Sequence, residues 1–248
     1  MQVVIFNSGI GKRMGESTKS THKAMTPLID AKGQTTETIF ERQIRLLSAA
    51  GLKDFIITTG PFEDQIKSVF DKEEYKDLSV EFVHNPLYAT TNYIYSMYLA
   101  RKYIKGDVLM LHGDLVFNDR YLQLVMDAAK DGARSIGAVD KQAQQPEKDF
   151  KARIVDDKIT EIAVDIFDEN CYAFQPFYYL RSQDIDRWMS EVVDFINTGQ
   201  LGVYAENALN QISNTVHIYG LSYSDNYVAE IDTPEDLAEV SSQILKFC

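Results

Sequence analysis

The segment Gly9-Ile-Gly-Lys-Arg13 places two glycines and two cations directly after a short apolar run, Val3 to Phe6. Glycines let backbone amides come close to phosphate oxygens, and an arginine can bind those oxygens in bidentate fashion. Met14 stands where the dinucleotide fingerprint needs a third glycine, and Gly-Lys-Ser/Thr is missing, so neither that motif nor a P-loop is present. A Gly-x-Gly after a strand is also an ordinary tight turn, and on this loop alone both readings stay open. Between Lys12 and Lys23 lie Lys12, Arg13, Lys19 and Lys23, with Glu16 the only acid, in a chain of formal net charge −12. That net charge argues against general nucleic-acid binding, which needs a basic footprint. Cations gathered beside a glycine turn fit a small anion; a solvated surface loop is the plainer alternative.

These groups need a frame to position them. Val3–Phe6, Phe55–Thr59, Val80–Val83 and the apolar run Asp107–Leu111 read as strands, the last leading into His112-Gly-Asp114. Apolar residues at helical spacing mark Thr38–Ala50, a stretch from Phe62 to Phe70, Thr91–Tyr103 and Asn118–Lys130. Strand–helix alternation over residues 1–140 predicts an α/β fold, a Rossmann-like three-layer sandwich with a mostly parallel mixed sheet. Such sheets bind ligands at the carboxyl ends of their strands, where the glycine loop and Asp114 both fall. The second half is more mixed. Lys151–Val155 and Lys158–Ala163 flank Asp156-Asp157 as a hairpin, and Ser182 starts a helix that closes near Gly199. Thr215–Leu221 and Tyr227–Ile231 read as strands, and Thr233-Pro-Glu-Asp236 opens a last helix with an N-cap, a first-turn proline and acids. This half is expected to add strands to the same sheet and a small β-rich substrate-binding subregion.

Composition narrows the class. No apolar run approaches the ~18–20 residues that span a bilayer, so no membrane partner is expected. MQVVIF is too short for a signal-peptide core, and Cys171 and Cys248 give neither metal spacing nor a disulfide framework. A cytoplasmic protein is expected. Trp188 and its helix can pack inward or against a second subunit, which leaves a homodimer open.

Several segments together carry a resemblance. Asn7-Ser-Gly-Ile-Gly-Lys-Arg-Met14 followed by His22-Lys-Ala-Met-Thr-Pro27 resembles the signature of the nucleotidyltransferase superfamily that activates sugar phosphates and phosphocholine. His22 stands where that family usually has proline, and Asn7-Ser8 where it usually has two alanines. Asn85-Pro-Leu-Tyr-Ala-Thr-Thr-Asn92, Leu111-His-Gly-Asp114 and Glu230-Ile-Asp-Thr-Pro-Glu-Asp-Leu237 match further stretches, the first being similar to phosphocholine cytidylyltransferases.

The resemblance implies Mg²⁺ as cofactor, with Asp114 and Asp232 as its ligands. Arg13 would hold the β- and γ-phosphates and Lys23 the α-phosphate or acceptor phosphate, these four being the catalytic set. Nucleotide binding would add Asn7, Ser8, Gly9, Gly11, Asn85, Thr91 and Asn92, although Asn85 and Thr91 can equally form a turn and a cap. For the acceptor, Tyr95 among Tyr88, Tyr93, Tyr95 and Tyr98 offers a ring face, and Glu206 and Glu230 offer carboxylates to an amine. Asp165 and Asp168 are weaker candidates, and Lys151 is one for the acceptor phosphate, with a surface position as its alternative. The implied organisation is a single domain over 1–248. It comprises a nucleotide-binding core (1–140), an acceptor-binding insertion (141–230), and a metal motif with terminal helix (230–248). The implied partners are CTP and a small phosphorylated, amine-bearing metabolite, giving a CDP-linked precursor for a surface glycan or lipid. Two alternatives stay open: a sugar-1-phosphate nucleotidyltransferase using UTP, dTTP or GTP, and a noncatalytic nucleotide-binding module. Nothing in the residues gives His112 a role.

Overall fold

A computed structural model describes residues 1–11, 13–15, 19–29, 34–143 and 145–243; Lys12, Glu16 and Cys248 lie outside them. In chain order the first half holds β1 (Gln2–Asn7), β2 (Pro27–Ile29), β3 (Thr35–Thr38), α1 (Ile39–Ala49), β4 (Asp54–Thr59), α2 (Glu63–Ser68), β5 (Ser79–His84), α3 (Tyr93–Ala100), β6 (Val108–His112), β7 (Leu115–Phe117) and α4 (Asp119–Asp131). The second half holds β8 (Ser135–Asp140), β9 (Lys151–Val155), β10 (Lys158–Ala163), β11 (Cys171–Leu180), α5 (Ser182–Asn197), α6 (Ala205–Gln211), β12 (Ile218–Ser222), β13 (Val228–Glu230) and α7 (Pro234–Gln243).

The main sheet runs β5-β4-β1-β6-β11-β8-β12-β10-β9. β5, β4, β1 and β6 pair in parallel, as alternation with helices requires. Side chains of β1 alternate between its two faces. Val3 and Ile5 join a core with Phe40, Ile44 and Tyr121 from α1 and α4. Val4 and Phe6 join another with Ile94, Trp188 and Leu209 from α3, α5 and α6. The sheet is therefore sandwiched between two helical layers, as expected. Local chemistry fixes the helix starts: Thr38 and Glu41 form a reciprocal capping box on α1, and Asn118 accepts from the Tyr121 amide to start α4.

Two strands of the main sheet were not legible. β11 reads as one apolar run with Pro176 inside it, and proline argues against a central strand. The structure accommodates it at a register shift between Gln175 and Tyr178 opposite β8, while Phe177 keeps its place opposite Leu111 of β6. β8, Ser135–Asp140, lies beside it. β9 pairs with both β10 and the first residues of β11, so β11, β8, β12, β10 and β9 close into a ring of paired strands. The turn between β9 and β10 uses Asp156 and Asp157, both at positive φ, as a two-residue hairpin demands.

β13 departs from the expectation that it adds to the main sheet. It pairs instead with β7 in a separate antiparallel ribbon, Glu230 opposite Leu115. Trp188 is fully buried and its indole donates to the Ala205 carbonyl at 2.9 Å, so it faces its own core and offers nothing to a second subunit. No helix among the described residues is long and apolar enough to cross a membrane.

Candidate active site

The β7–β13 ribbon explains how two distant aspartates meet. Asp114 immediately precedes β7, and Asp232 follows β13 by one residue; the Ile231 amide donates to the Asp114 carbonyl at 3.1 Å. Lys23 stands between their carboxylates, bonded to Asp114 Oδ2 and at 2.6 Å from Asp232 Oδ1. Arg13 reaches the other oxygen of Asp232 at 2.8 Å from a side chain that is 60% exposed. Burial opposes the Lys23 charge, but the two carboxylates outweigh it and hold the ammonium above its ordinary pKa. The four residues singled out for catalysis thus converge on one point at the carboxyl end of β1 and β6.

They line a cavity of about 290 Å³ together with Asn7, Ser8, Gly9, Gly11, Asn92 and Glu230. Gly11 sits at φ 69, a left-handed conformation that a glycine adopts without strain, and its carbonyl accepts from the Met14 amide. A second hollow, bounded by Ser8–Gly11 and Tyr88–Tyr93, opens from the same loop. Beneath it runs a polar row. Ser8 Oγ lies 2.6 Å from Ser96 Oγ, and Asn85 donates to Ser96 and Thr91 while accepting from the Leu87 amide. Asn85 is therefore a buried turn former that supports the hollow and lines neither space, whereas Thr91 lines the hollow and Asn92 both.

His22 also finds its reason here. Its Nδ1 accepts from the Ala24 amide, capping the single 3₁₀ turn Lys23–Met25 that presents Lys23. Burial, the main cause, pushes this imidazole down to about 4 from 6.5. Below pH 6.5 the unfolded chain takes a proton that the folded chain refuses until about pH 4. Stability should therefore fall through that window by up to about 1.4 kcal/mol per pH unit. His22→Asn keeps an oxygen for the cap and removes the titration. Urea melts should show the wild type losing ground to this variant as pH falls from about 6.5 to about 4. A difference constant with pH would refute the assignment.

His112, which the sequence left without a role, packs edge-on against Tyr93, ring centroids 4.6 Å apart, and its Nδ1 lies 3.0 Å from Glu230. Burial disfavours the imidazolium, but Glu230 outweighs it and raises His112. Burial, with Asp114 adding to it, pushes the Glu230 carboxyl up to about 7.

Several acceptor candidates change place. Tyr95 stacks on Tyr98 at 5.9 Å and lines neither space; Tyr93 is the α3 tyrosine that reaches the cavity. Glu206 is fully buried behind Tyr93, accepting from the hydroxyls of Tyr93 and Tyr178, so it positions the ring and does not face the cavity. Lys151 is also fully buried and not on the surface: its Nζ donates to the carbonyls of Pro146 and Asp149 at 2.6 and 3.0 Å. It anchors the loop whose Lys148, Asp149 and Phe150 line the cavity. Asp168 pairs with Arg153, and neither it nor Asp165 lines the cavity. Glu230 does. Asp149, Phe150, Val164 and Tyr204 were missed; the one signal for Asp149 and Phe150 was the polar loop ahead of β9, where ligand contacts concentrate, and Val164 after β10 and Tyr204 before α6 had none.

The donor set suits a hard divalent cation. Asp114 Oδ1 is buried without a partner; ligand atoms of His112, Asp114 and Glu230 lie within 4.8 Å of one another, and so do those of Asp149, Glu230 and Asp232, with Glu230 common to the two groups.

The sheet is mixed, and its parallel part carries the glycine loop, the paired aspartates and the lysine at the carboxyl ends of β1 and β6. The chain belongs to the MobA-like NTP transferase domain family, which matches residues 3–194. Over 133 residues it is 26% identical to a CMP-5'-(3-aminopropyl)phosphonate synthase of Streptomyces rubellomurinus, covering 54% of this chain and 20% of that one. Over 118 residues it is 30% identical to a choline-phosphate cytidylyltransferase of Haemophilus influenzae, covering 48% of this chain and 46% of that one. The chain spans less than half the length of these curated relatives. The fold matches that of the CTP:phosphocholine cytidylyltransferase of Streptococcus pneumoniae with a TM-score of 0.75 at 20% identity, over 98% of both chains. It also matches an inositol-1-phosphate CTP transferase of T. maritima with a TM-score of 0.77 at 18% identity, over 99% and 95%. At these identities the likeness is one of fold.

Proposed function

We propose that this protein is a Mg²⁺-dependent cytidylyltransferase that moves CMP from CTP to a small amine-bearing phosphomonoester or phosphonate. The observation that carries the reading is Lys23 held between Asp114 and Asp232, in a cavity that shares its glycine loop with a second hollow. An oxygen of the acceptor's phosphate attacks the α-phosphorus; the bond to the β-phosphate oxygen breaks and pyrophosphate leaves. The nucleophile is already an anion, so no strong general base is needed, and the barrier is repulsion between polyanions. Arg13, exposed at the mouth, binds the departing β- and γ-phosphates. Lys23 neutralises the α-phosphate or acceptor phosphate as a point charge. Asp114 and Asp232 would hold the ion, which supplies positive charge to the same phosphate oxygens.

The amine is inferred from the acidic and aromatic side chains in the cavity lining. Asp149 and Glu230 present carboxylates there, beside Tyr93 and the Phe150–Tyr204 pair, whose rings meet edge-on at 4.9 Å. A carboxylate wall with aromatic neighbours selects a cation. The named activities of the Streptomyces and Haemophilus relatives point the same way. A CDP-linked precursor for a surface glycan or lipid, made in the cytoplasm, is the product this reading implies.

Pyrophosphate release decides it, with CTP, UTP, GTP and dTTP crossed against phosphocholine, phosphoethanolamine, aminoalkyl phosphonates and hexose 1-phosphates, with and without Mg²⁺. The expected result is Mg²⁺-dependent release with CTP and an amine-bearing acceptor. Release only with hexose 1-phosphates would overturn the acceptor reading.

A further inference from the structure

Asn7 ends β1 and is 2% exposed, yet neither its amide oxygen nor its amide nitrogen has a hydrogen-bond partner. Buried polar groups are almost always paired, so a side chain left this way marks a place where a ligand completes the bonding. The nearest backbone groups are already engaged. The Gly113 amide donates to the Phe6 carbonyl at 3.0 Å, and the Asn7 amide donates to Thr58 Oγ1 at 3.1 Å. Gly113 is matched to this side chain: a Cβ built there would fall 1.8 Å from Asn7 Oδ1. Neighbouring strands β1 and β6 thus make room for one carboxamide that the protein itself does not use.

Position names the ligand group. Asn7 lines the cavity that holds Asp114, Lys23 and Asp232, and it adjoins Ser8, which with Gly9 and Gly11 borders both that cavity and the second hollow. A nucleoside triphosphate with its base in the second hollow and its phosphates at Lys23 has its sugar where the two spaces meet, beside these residues. A carboxamide offers a donor and an acceptor together, which a hydroxyl satisfies and a phosphate oxygen does not.

We infer that Asn7 hydrogen-bonds a ribose hydroxyl of the nucleotide, so that the protein selects ribonucleotides over deoxyribonucleotides. This rests on the nucleotidyl-transfer reading above.

The test compares CTP, 2′-deoxy-CTP and 3′-deoxy-CTP on the wild type and Asn7→Ala, by kcat/KM with an accepted phosphomonoester and by calorimetric binding with Mg²⁺. The wild type should prefer CTP over one of the two analogues by about tenfold or more, which names the hydroxyl. Asn7→Ala should bring that ratio to within about twofold, mainly through CTP binding, with an unchanged melting temperature. If Asn7→Ala does not fold, Gly113→Ala, which displaces the carboxamide, should give the same loss of preference. A ratio preserved in the variant, or absent in the wild type, overturns the inference. Failure of turnover with binding intact counts against the proposed reaction, and the binding ratio still decides the role of Asn7. Failure of all nucleotides to bind overturns both.

Discussion

Asp232→Asn should lower kcat/KM about a thousandfold while leaving the protein folded. The carboxylate accepts from Lys23 and Arg13 at once, and both bonds lose the ionised partner that makes them strong. In the proposed reaction the same residue also holds the ion, so transition-state charge loses its largest preorganised support, worth ~10²–10³ in rate for a single donor elsewhere. The amide is isosteric, and the β7–β13 ribbon that delivers the residue is built from backbone bonds the change leaves alone. Pyrophosphate release under saturating Mg²⁺, with circular dichroism as a folding control, checks this. A loss of less than about tenfold would remove Asp232 from the catalytic set.

Lys23→Met should cost stability in a way that Mg²⁺ reverses. The ammonium is largely buried, and removing it leaves Asp114 and Asp232 facing each other with only the exposed Arg13 on Asp232 as counter-charge. Breaking a buried pair from one side typically costs ~3–5 kcal/mol. A divalent cation bound by the two carboxylates supplies the missing charge, and an ion that binds only the folded state stabilises it by mass action. Thermal melts with EDTA and with Mg²⁺ should therefore converge on wild-type behaviour only in the presence of the ion. Turnover should stay low in both, because methionine carries no charge to a phosphate. Equal destabilisation with and without Mg²⁺ would mean the two carboxylates do not form a metal site.

The parts of the site that were legible in the sequence are those written in local chemistry. The glycine loop, Lys23 after His22, and the two aspartates at strand ends all lie at turns whose residue types constrain the backbone directly. What the sequence could not give is the rotational phase of a helix or the depth of a side chain. Tyr93 and Tyr95 are two positions apart on α3 and so point to different sides of it, and the packing of Phe6 and His112 on Tyr93 decides which side faces the cavity. Glu206 and Lys151 are residue types that ordinarily mark a surface; here tyrosine hydroxyls from distant elements satisfy Glu206 out of solvent, and carbonyls of the loop just ahead satisfy Lys151. β11 was hidden by Pro176, whose tolerance depends on a register shift against β8 that no local pattern encodes. Asn85, open in the sequence between nucleotide binding and a turn, is a turn former whose amide is taken up by Ser96 and Leu87.

The ribbon of β7 and β13 sets the order in which competence is acquired. β13 follows every strand of the main sheet in the chain, so Asp114 waits through the synthesis of β8 to β12 before Asp232 arrives. Closing so long a loop is slow relative to local pairing. A nascent chain stalled before β13 carries the sheet, the glycine loop and Lys23, but only one of its two carboxylate partners. Such a chain is expected to be inert toward nucleotide, so the reaction begins only on molecules whose translation has passed the ribbon.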